Sequence, residues 1–225
     1  MEATLTLITH ILIILKQVCV VMDARNVRIL AAMIALLIKG KRARLYELAR
    51  AMPGGGTLES RAQKLRRWLS NANITAQDFL PVYLQLLSPV LATRPEMILI
   101  IDRTSWKRLG ININLFLCSV AFNGRSFPIV WCFLPKRGCS NLSEQKTLLN
   151  PVLATLAAHP ILSAIPVTVT ADREFCSPLL ADWLVNDCGV HVAIRVKKSL
   201  YVSREDCISI PQFLTFFYCI ILTAF

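Results

Sequence analysis

The sequence predicts an α/β protein: a helical N-terminal domain followed by an incomplete mixed β-sheet core with the element order β-β-β-α-β-α-β. Three observations carry this prediction. Residues 1–95 place apolar side chains at helical spacing, as in Leu5, Ile8, Leu12 and Leu15. From Glu96 onward, short β-branched runs bounded by Gly, Pro and Asn replace that pattern. Two of those runs, 97–102 and 167–172, share a design: each is apolar or β-branched, ends on Asp and is followed by Arg.

At 225 residues the chain has room for one large domain, or for a small one beside a medium one. Only 17% of it is charged and 55% is hydrophobic, which argues against disorder. The net charge of +11 is uneven. Residues 1–95 carry 13 Lys/Arg against 5 Asp/Glu, and the remainder carries 12 against 9. A basic N-terminal third implies a polyanionic partner, nucleic acid or an anionic membrane surface. A solvated basic helix face produces the same balance, and charge alone does not separate the two.

The eight cysteines form no Cys-x-x-Cys pair and sit mostly in apolar runs. They read as small core residues of a reducing, cytoplasmic protein, not as zinc ligands or disulfides. His10, His159 and His191 are too scattered to build a metal site. Residues 5–21 are apolar but contain His10, Lys16 and Gln17, follow Glu2 and precede no cleavage signal, so a core helix suits them better than a signal peptide. Residues 207–225 carry no charge and have nearly the length of a membrane span, yet include Pro211 and Gln212 and lack flanking charge. No membrane partner is expected.

Within the helical front, residues 27–38 form an apolar helix stopping at Gly40, and Leu45, Leu48, Ala49 and Met52 space a short amphipathic one. Pro53-Gly54-Gly55-Gly56 ends it, and Thr57 caps the next. That helix presents Arg61, Lys64, Arg66 and Arg67 beside Leu58, Ala62, Leu65, Trp68 and Leu69. Two short helices joined by a tight Gly-rich turn, the second strongly basic, suggest a helix-turn-helix-like DNA-binding element. Many ordinary surface helices have the same composition. A further helix, 76–91, leads to Pro95, taken as the domain boundary.

In the core, the first strand ends at Asp102 and its apolar run implies burial on both faces. Strands over 113–122 and 126–134 are joined by Asn123-Gly124, a hairpin signal, and Pro128 points to an edge. A helix over 143–158, kinked by Pro151, precedes the strand 167–172. A helix over 178–186 precedes the strand 190–196. A crossover that lays the fourth strand parallel to the first brings Asp102 and Asp172 to the same end of neighbouring strands. Paired carboxylates there suit two Mg²⁺ or Mn²⁺ ions, hard cations that take oxygen ligands and stabilise both the attacking and leaving oxygens of phosphoryl transfer. Arg103 and Arg173 follow as phosphate partners. A single Asp so placed is more simply a turn residue; two in matching contexts favour the metal site. Trp106 and Trp131 suit stacking on DNA bases, but large aromatics usually supply core area, and both are expected to pack the sheet.

These residues also carry a resemblance. Ile101-Asp102-Arg103-Thr104-Ser105-Trp106, Pro128-Ile129-Val130-Trp131, Gly138-Cys139-Ser140, Ala171-Asp172-Arg173-Glu174-Phe175 and Ile194-Arg195 resemble the DDE-class transposases of bacterial insertion sequences, which have a ribonuclease H-like core. It covers most of residues 30–200, including Leu48-Ala49-Arg50 and Arg66-Arg67-Trp68-Leu69. It implies cut-and-paste strand transfer on DNA, at the element's terminal repeats and at a target, in the bacterial cytoplasm and generally by a homodimer. Asp102 and Asp172 match the first two acidic metal ligands. The core's expected DNA contacts are Arg103, Lys107, Arg108, Arg173, Arg195, Lys197 and Lys198; a solvated strand end accounts for the last two equally well.

The family's third acid is a Glu on a later helix, in a Tyr-Arg-Glu-Lys signature. Tyr201 and Arg204 have the spacing of its first half, but Ile208 stands where the Glu belongs. Glu205 follows the last strand too closely, and Glu174 is expected to hold its own turn. Beyond Asp206 the composition becomes abruptly apolar, as after a frameshift. The resulting expectation is a transposase with a DNA-binding domain over 1–95, an incomplete catalytic core over 96–206 and an apolar tail over 207–225. A non-catalytic DNA-binding remnant and, last, a small membrane-associated protein are the alternatives.

Overall fold

A computed structural model describes residues 2–18, 22–40 and 42–196. The chain divides into two compact units, Met1–Val90 and Leu91–Phe225. The boundary falls a few residues before the expected Pro95.

The first unit is helical throughout. α1 (Glu2–Val18) packs against α2 (Ala24–Gly40), and α3 (Leu45–Ala51) against α4 (Leu58–Leu69). α5 (Leu80–Leu91) follows a 3₁₀ turn, Ala76–Phe79, so the single helix expected over 76–91 is in fact two pieces. A capping box between Thr75 and Asp78 starts that turn. The core of the unit joins Ile29, Met33 and Leu36 of α2 to Ala49 of α3 and Ala62 and Leu65 of α4. Those α4 residues recur at i and i+3, so burying them turns the intervening polar residues outward. The Thr57 hydroxyl accepts from the Ser60 N–H, the cap read from sequence.

The second unit is a five-stranded mixed sheet with helices. Its strands are β1 (Met97–Arg108), β2 (Ile111–Phe122), β3 (Arg125–Phe133), β4 (Val167–Ala171) and β5 (His191–Ile194). They lie in the order β3-β2-β1-β4-β5, with β1 antiparallel to β2 and parallel to β4. The order and directions are consistent with a ribonuclease H-like topology. Asn123 and Gly124 close the β2–β3 hairpin, both at positive φ (49° and 71°), which is what a two-residue primed turn requires. Pro128 does lie on an edge strand, opposite Ser119 beside a β-bulge. α6 (Leu142–Ala158) packs on β2 and β3 and continues through Pro151 as one helix. α7 (Pro178–Asp182) runs on into a π-helical turn, Trp183–Asp187, before β5.

Two expectations for β1 are corrected. It does not end at Asp102 but runs on to Arg108, because β2 continues to pair with it down to Arg108 opposite Ile111, whereas β4 stops pairing at Ile101. Nor is it buried on both faces. Met97, Leu99 and Ile101 are almost fully buried, while Ile98 on the alternate face is 38% exposed and Asp102 is exposed. Among the described residues no helix is long and apolar enough to cross a membrane. The tail 207–225 lies outside the described residues, as do Lys197, Lys198, Tyr201, Arg204, Glu205 and Ile208.

Candidate functional site

Ile101 and Ala171 are Cα partners on the parallel strands β1 and β4, and Ala171 in turn pairs with Ile194 on β5. The residue after each therefore stands in one row across three neighbouring strands: Asp102, Asp172, Arg195. Neighbouring strands are about 4.8 Å apart, so the two acids are side by side at the same end of the sheet. Ile101, Ala171 and Ile194 are all buried, and side chains alternate along a strand, so the row takes the opposite, open face. The Asp172 side chain is 59% exposed.

The two carboxylates are differently furnished. Asp102 Oδ1 accepts from the Arg103 N–H at 2.8 Å. Asp172 occupies the cap position of the 3₁₀ turn Arg173–Phe175, yet its side chain accepts no capping hydrogen bond. An acid serving merely as a turn cap would make that bond. Instead its Oδ1 lies 3.9 Å from Arg173 Nε and 3.8 Å from Arg195 Nη1, both solvent-exposed pairs and correspondingly weak. Arg173 and Arg195 thus stand where the sequence expected cations, flanking Asp172.

Arg103 is different. Alternation places it on the face opposite Asp102, and its guanidinium is taken up inside the unit. Nε and Nη2 donate to the two carboxylate oxygens of Glu174, each at 2.8 Å, and Nη1 donates to Asn114 Oδ1 at 3.1 Å. The Arg103 side chain is only 13% exposed. The hydrogen bonds from Arg103 to Glu174 raise the arginine's pKa further, so its charge is permanent. The expectation that Arg103 serves as a phosphate partner does not suit a guanidinium so engaged. Asn114 Nδ2 donates onward to the carbonyls of Lys136 and Gly138 at 2.9 and 3.1 Å. Phe175, buried, stacks on Phe116 with ring centroids 5.6 Å apart. Within Asp172-Arg173-Glu174-Phe175, the last two residues anchor the turn inward and leave the first two facing solvent. Glu174 does hold the turn; its arginine partner and Asn114 were not foreseen. The available signal was Asn114 itself, an amide at a buried position of an apolar strand.

The cations of α4 divide similarly. Arg61 Nη1 donates to the Met52 and Arg50 carbonyls at 2.9 and 3.4 Å, at the C-terminal end of α3. Arg66 donates to Glu59 at 2.8 Å and to the Tyr46 hydroxyl at 2.7 Å, and lies over the Tyr46 ring. The hydrogen bonds that Glu59 accepts from Arg66 and, at 3.1 Å, from the Tyr46 hydroxyl hold its carboxyl below its ordinary pKa. Lys64 and Arg67 are exposed. Lys107 and Arg108, in the second unit, are also exposed.

Exposed carboxylate oxygens are the right donors for a hard divalent ion, so Asp102 and Asp172 fit Mg²⁺ or Mn²⁺ in kind. In number they fall short: among the described residues no group of three or more His, Cys, Asp or Glu is arranged to hold a metal.

The site therefore belongs to an α/β unit whose strand order is consistent with a ribonuclease H-like topology, with an acid pair where the pairing of its central parallel strands ends. No protein-family model matches the chain, and no curated protein matches it.

Proposed function

We propose that this chain is a DNA transposase of the insertion-sequence DDE type, acting in the bacterial cytoplasm, with α4 and the sheet's cations contacting DNA. The single observation that supports this best is the placement of Asp102 and Asp172 on adjacent parallel strands of a sheet ordered 3-2-1-4-5. Asp102 and Asp172 would hold the Mg²⁺ or Mn²⁺ ions, which when bound stabilise charge on the attacking and leaving oxygens of a phosphodiester. Arg173 and Arg195, which lie beside Asp172, would meet phosphate oxygens.

A second reading has its own support. Ile208 stands at the position of the family's third acid, and two carboxylates bind a divalent ion weakly. That favours a DNA-binding protein without strand-transfer activity, able to occupy element ends, alone or as a homodimer.

Incubating the protein with supercoiled plasmid carrying candidate element ends and Mn²⁺ separates the two. The transposase reading expects nicking that falls at least about a hundredfold in Asp102→Ala and Asp172→Ala, the scale of losing a charge-stabilising group. Retention of the plasmid on filters without nicking selects the binding protein. Absence of both binding and nicking overturns both readings.

A further inference from the structure

Beyond the acid pair, β1 and β2 leave the rest of the sheet. β4 pairs with β1 only as far as Ile101, and β3 pairs with β2 only from Leu115 onward, while β1 and β2 remain paired from Asp102–Leu117 to Arg108–Ile111. β3 still flanks β2 as far as Thr104–Leu115, and from Ser105–Asn114 to Arg108–Ile111 the two strands go on as a two-stranded ribbon whose tip lies about 20 Å past Asp102, at ~3.4 Å per residue. Leu109 and Gly110 close it at positive φ (48° and 81°), and Leu109 is 94% exposed. A leucine in a left-handed turn with almost no burial contributes nothing to the unit's own core.

The ribbon's charge is one-sided. From Arg103 to Gly138 the chain carries six Lys/Arg and no Asp or Glu. Arg103 is neutralised by Glu174 and Lys136 by Glu144. Lys107 and Arg108 meet no carboxylate among the described residues. Arg137 is steadied by a neutral group, the Asn112 amide oxygen, at 2.9 and 3.1 Å. Asn112 is the cross-strand partner of Lys107, so Arg137 is held beside the ribbon with its charge uncompensated. Trp106, expected to pack the sheet, is instead 44% exposed. By alternation it shares the face of Asp102, four residues further along, about 14 Å away.

We infer that this ribbon is a nucleic-acid arm: Trp106 is a stacking platform for an unpaired base, Arg108 on the same face receives a phosphate of that strand, and Lys107 and Arg137, on the opposite face by the same alternation, receive phosphates where the strand passes over the ribbon's edge. An exposed aromatic ring on a ribbon of uncompensated cations is what single-stranded DNA requires, because every base offers a π-face and every nucleotide a charge. The position of the arm relative to the acid pair rests on the function proposed above. Even at the duplex spacing of about 3.4 Å per nucleotide, Trp106 stands at most roughly four nucleotides from a phosphodiester lying at Asp102 and Asp172. The binding itself does not depend on catalysis.

The test is fluorescence anisotropy of a labelled 20-nucleotide single strand and of its duplex, with the full chain and with variants. Trp106→Ala is expected to weaken single-strand binding about tenfold, Trp106→Phe to restore most of it, and the duplex to be affected less. Lys107→Ala with Arg108→Ala should reduce the salt dependence of single-strand binding by roughly 1.4 in log–log slope, two phosphates' worth. Unchanged melting temperatures will show that the exposed substitutions leave the fold intact. Trp106 dependence that persists in Asp102→Ala, with no nicking by any form, leaves the arm standing while the transposase reading fails. Nicking by the wild type with single-strand binding indifferent to Trp106 overturns the arm alone. Equal binding to phosphatidylglycerol vesicles, or self-association abolished by Leu109→Asp with no change in DNA affinity, overturns it in favour of a lipid surface or a second copy of the chain.

Discussion

Arg103 and Glu174, 71 residues apart in sequence, face each other fork to fork through two hydrogen bonds of 2.8 Å. The pair links β1 to the turn after β4, and through Asn114 it also ties down β2 and the loop after β3. It lies behind the sheet, on the face away from Asp102, and clamps the turn in which Asp172 sits.

Breaking that pair should cost stability well beyond an ordinary surface ion pair. Glu174→Ala leaves a mostly buried guanidinium without its carboxylate, and a loss of about 2–3 kcal/mol is expected in urea unfolding. Arg103→Lys should recover only part of it, since an ammonium cannot reproduce the two parallel bonds and the third to Asn114. Arg173→Ala, at an exposed pair, should change stability by less than about 0.5 kcal/mol. Equal effects of the two alanine substitutions would refute the clamp.

The four basic residues of α4 are expected to separate by experiment into two kinds. Arg61→Ala removes donors from carbonyls at the end of α3 and should cost about 1 kcal/mol of stability. Lys64→Ala and Arg67→Ala should leave stability within about 0.5 kcal/mol, and each should lower the salt slope of duplex DNA binding by about 0.9. Urea melts and binding titrations at several salt concentrations read the two effects independently. A salt slope untouched by Lys64 and Arg67 would remove α4 from the DNA interface.

Glu144 sets a pH dependence of known sign. Burial works to raise its pKa, but hydrogen bonds from Lys136 and from the Asn141 N–H outweigh it and hold the carboxyl below the ordinary value. A carboxylate lowered in the folded state contributes stability that is complete above the unfolded pKa, near 4.3, and is lost as the pH falls through the lower folded value. Glu144→Gln should therefore be less stable than wild type by about 1 kcal/mol at pH 7, and the gap should close in acid. A gap that stays constant from pH 7 to pH 2.5 would mean that the cap of α6 does not depend on the charge.

Much of the framework was legible because it is written in local chemistry. Asn123-Gly124 could only be a tight hairpin turn, Thr57 is a side chain suited to starting a helix, and β-branched runs leading into Asp announce strands that carry an acid. The reach of β1 was not legible. Whether a strand continues past Asp102 depends on which neighbour goes on pairing with it, and that partner lies in another part of the chain.

By itself, then, the sequence determined the helical front, the mixed core and the two β-branched runs that each lead into an Asp, because propensity, alternation and turn chemistry act between residues close in the chain. Only the tertiary structure decided that those acids adjoin on the open face, that Arg103, Arg61 and Arg66 are occupied within the fold, and that Trp106 stands out on a basic ribbon. A cation looks the same in sequence whether it meets solvent or a carboxylate 71 residues away; packing alone distinguishes them.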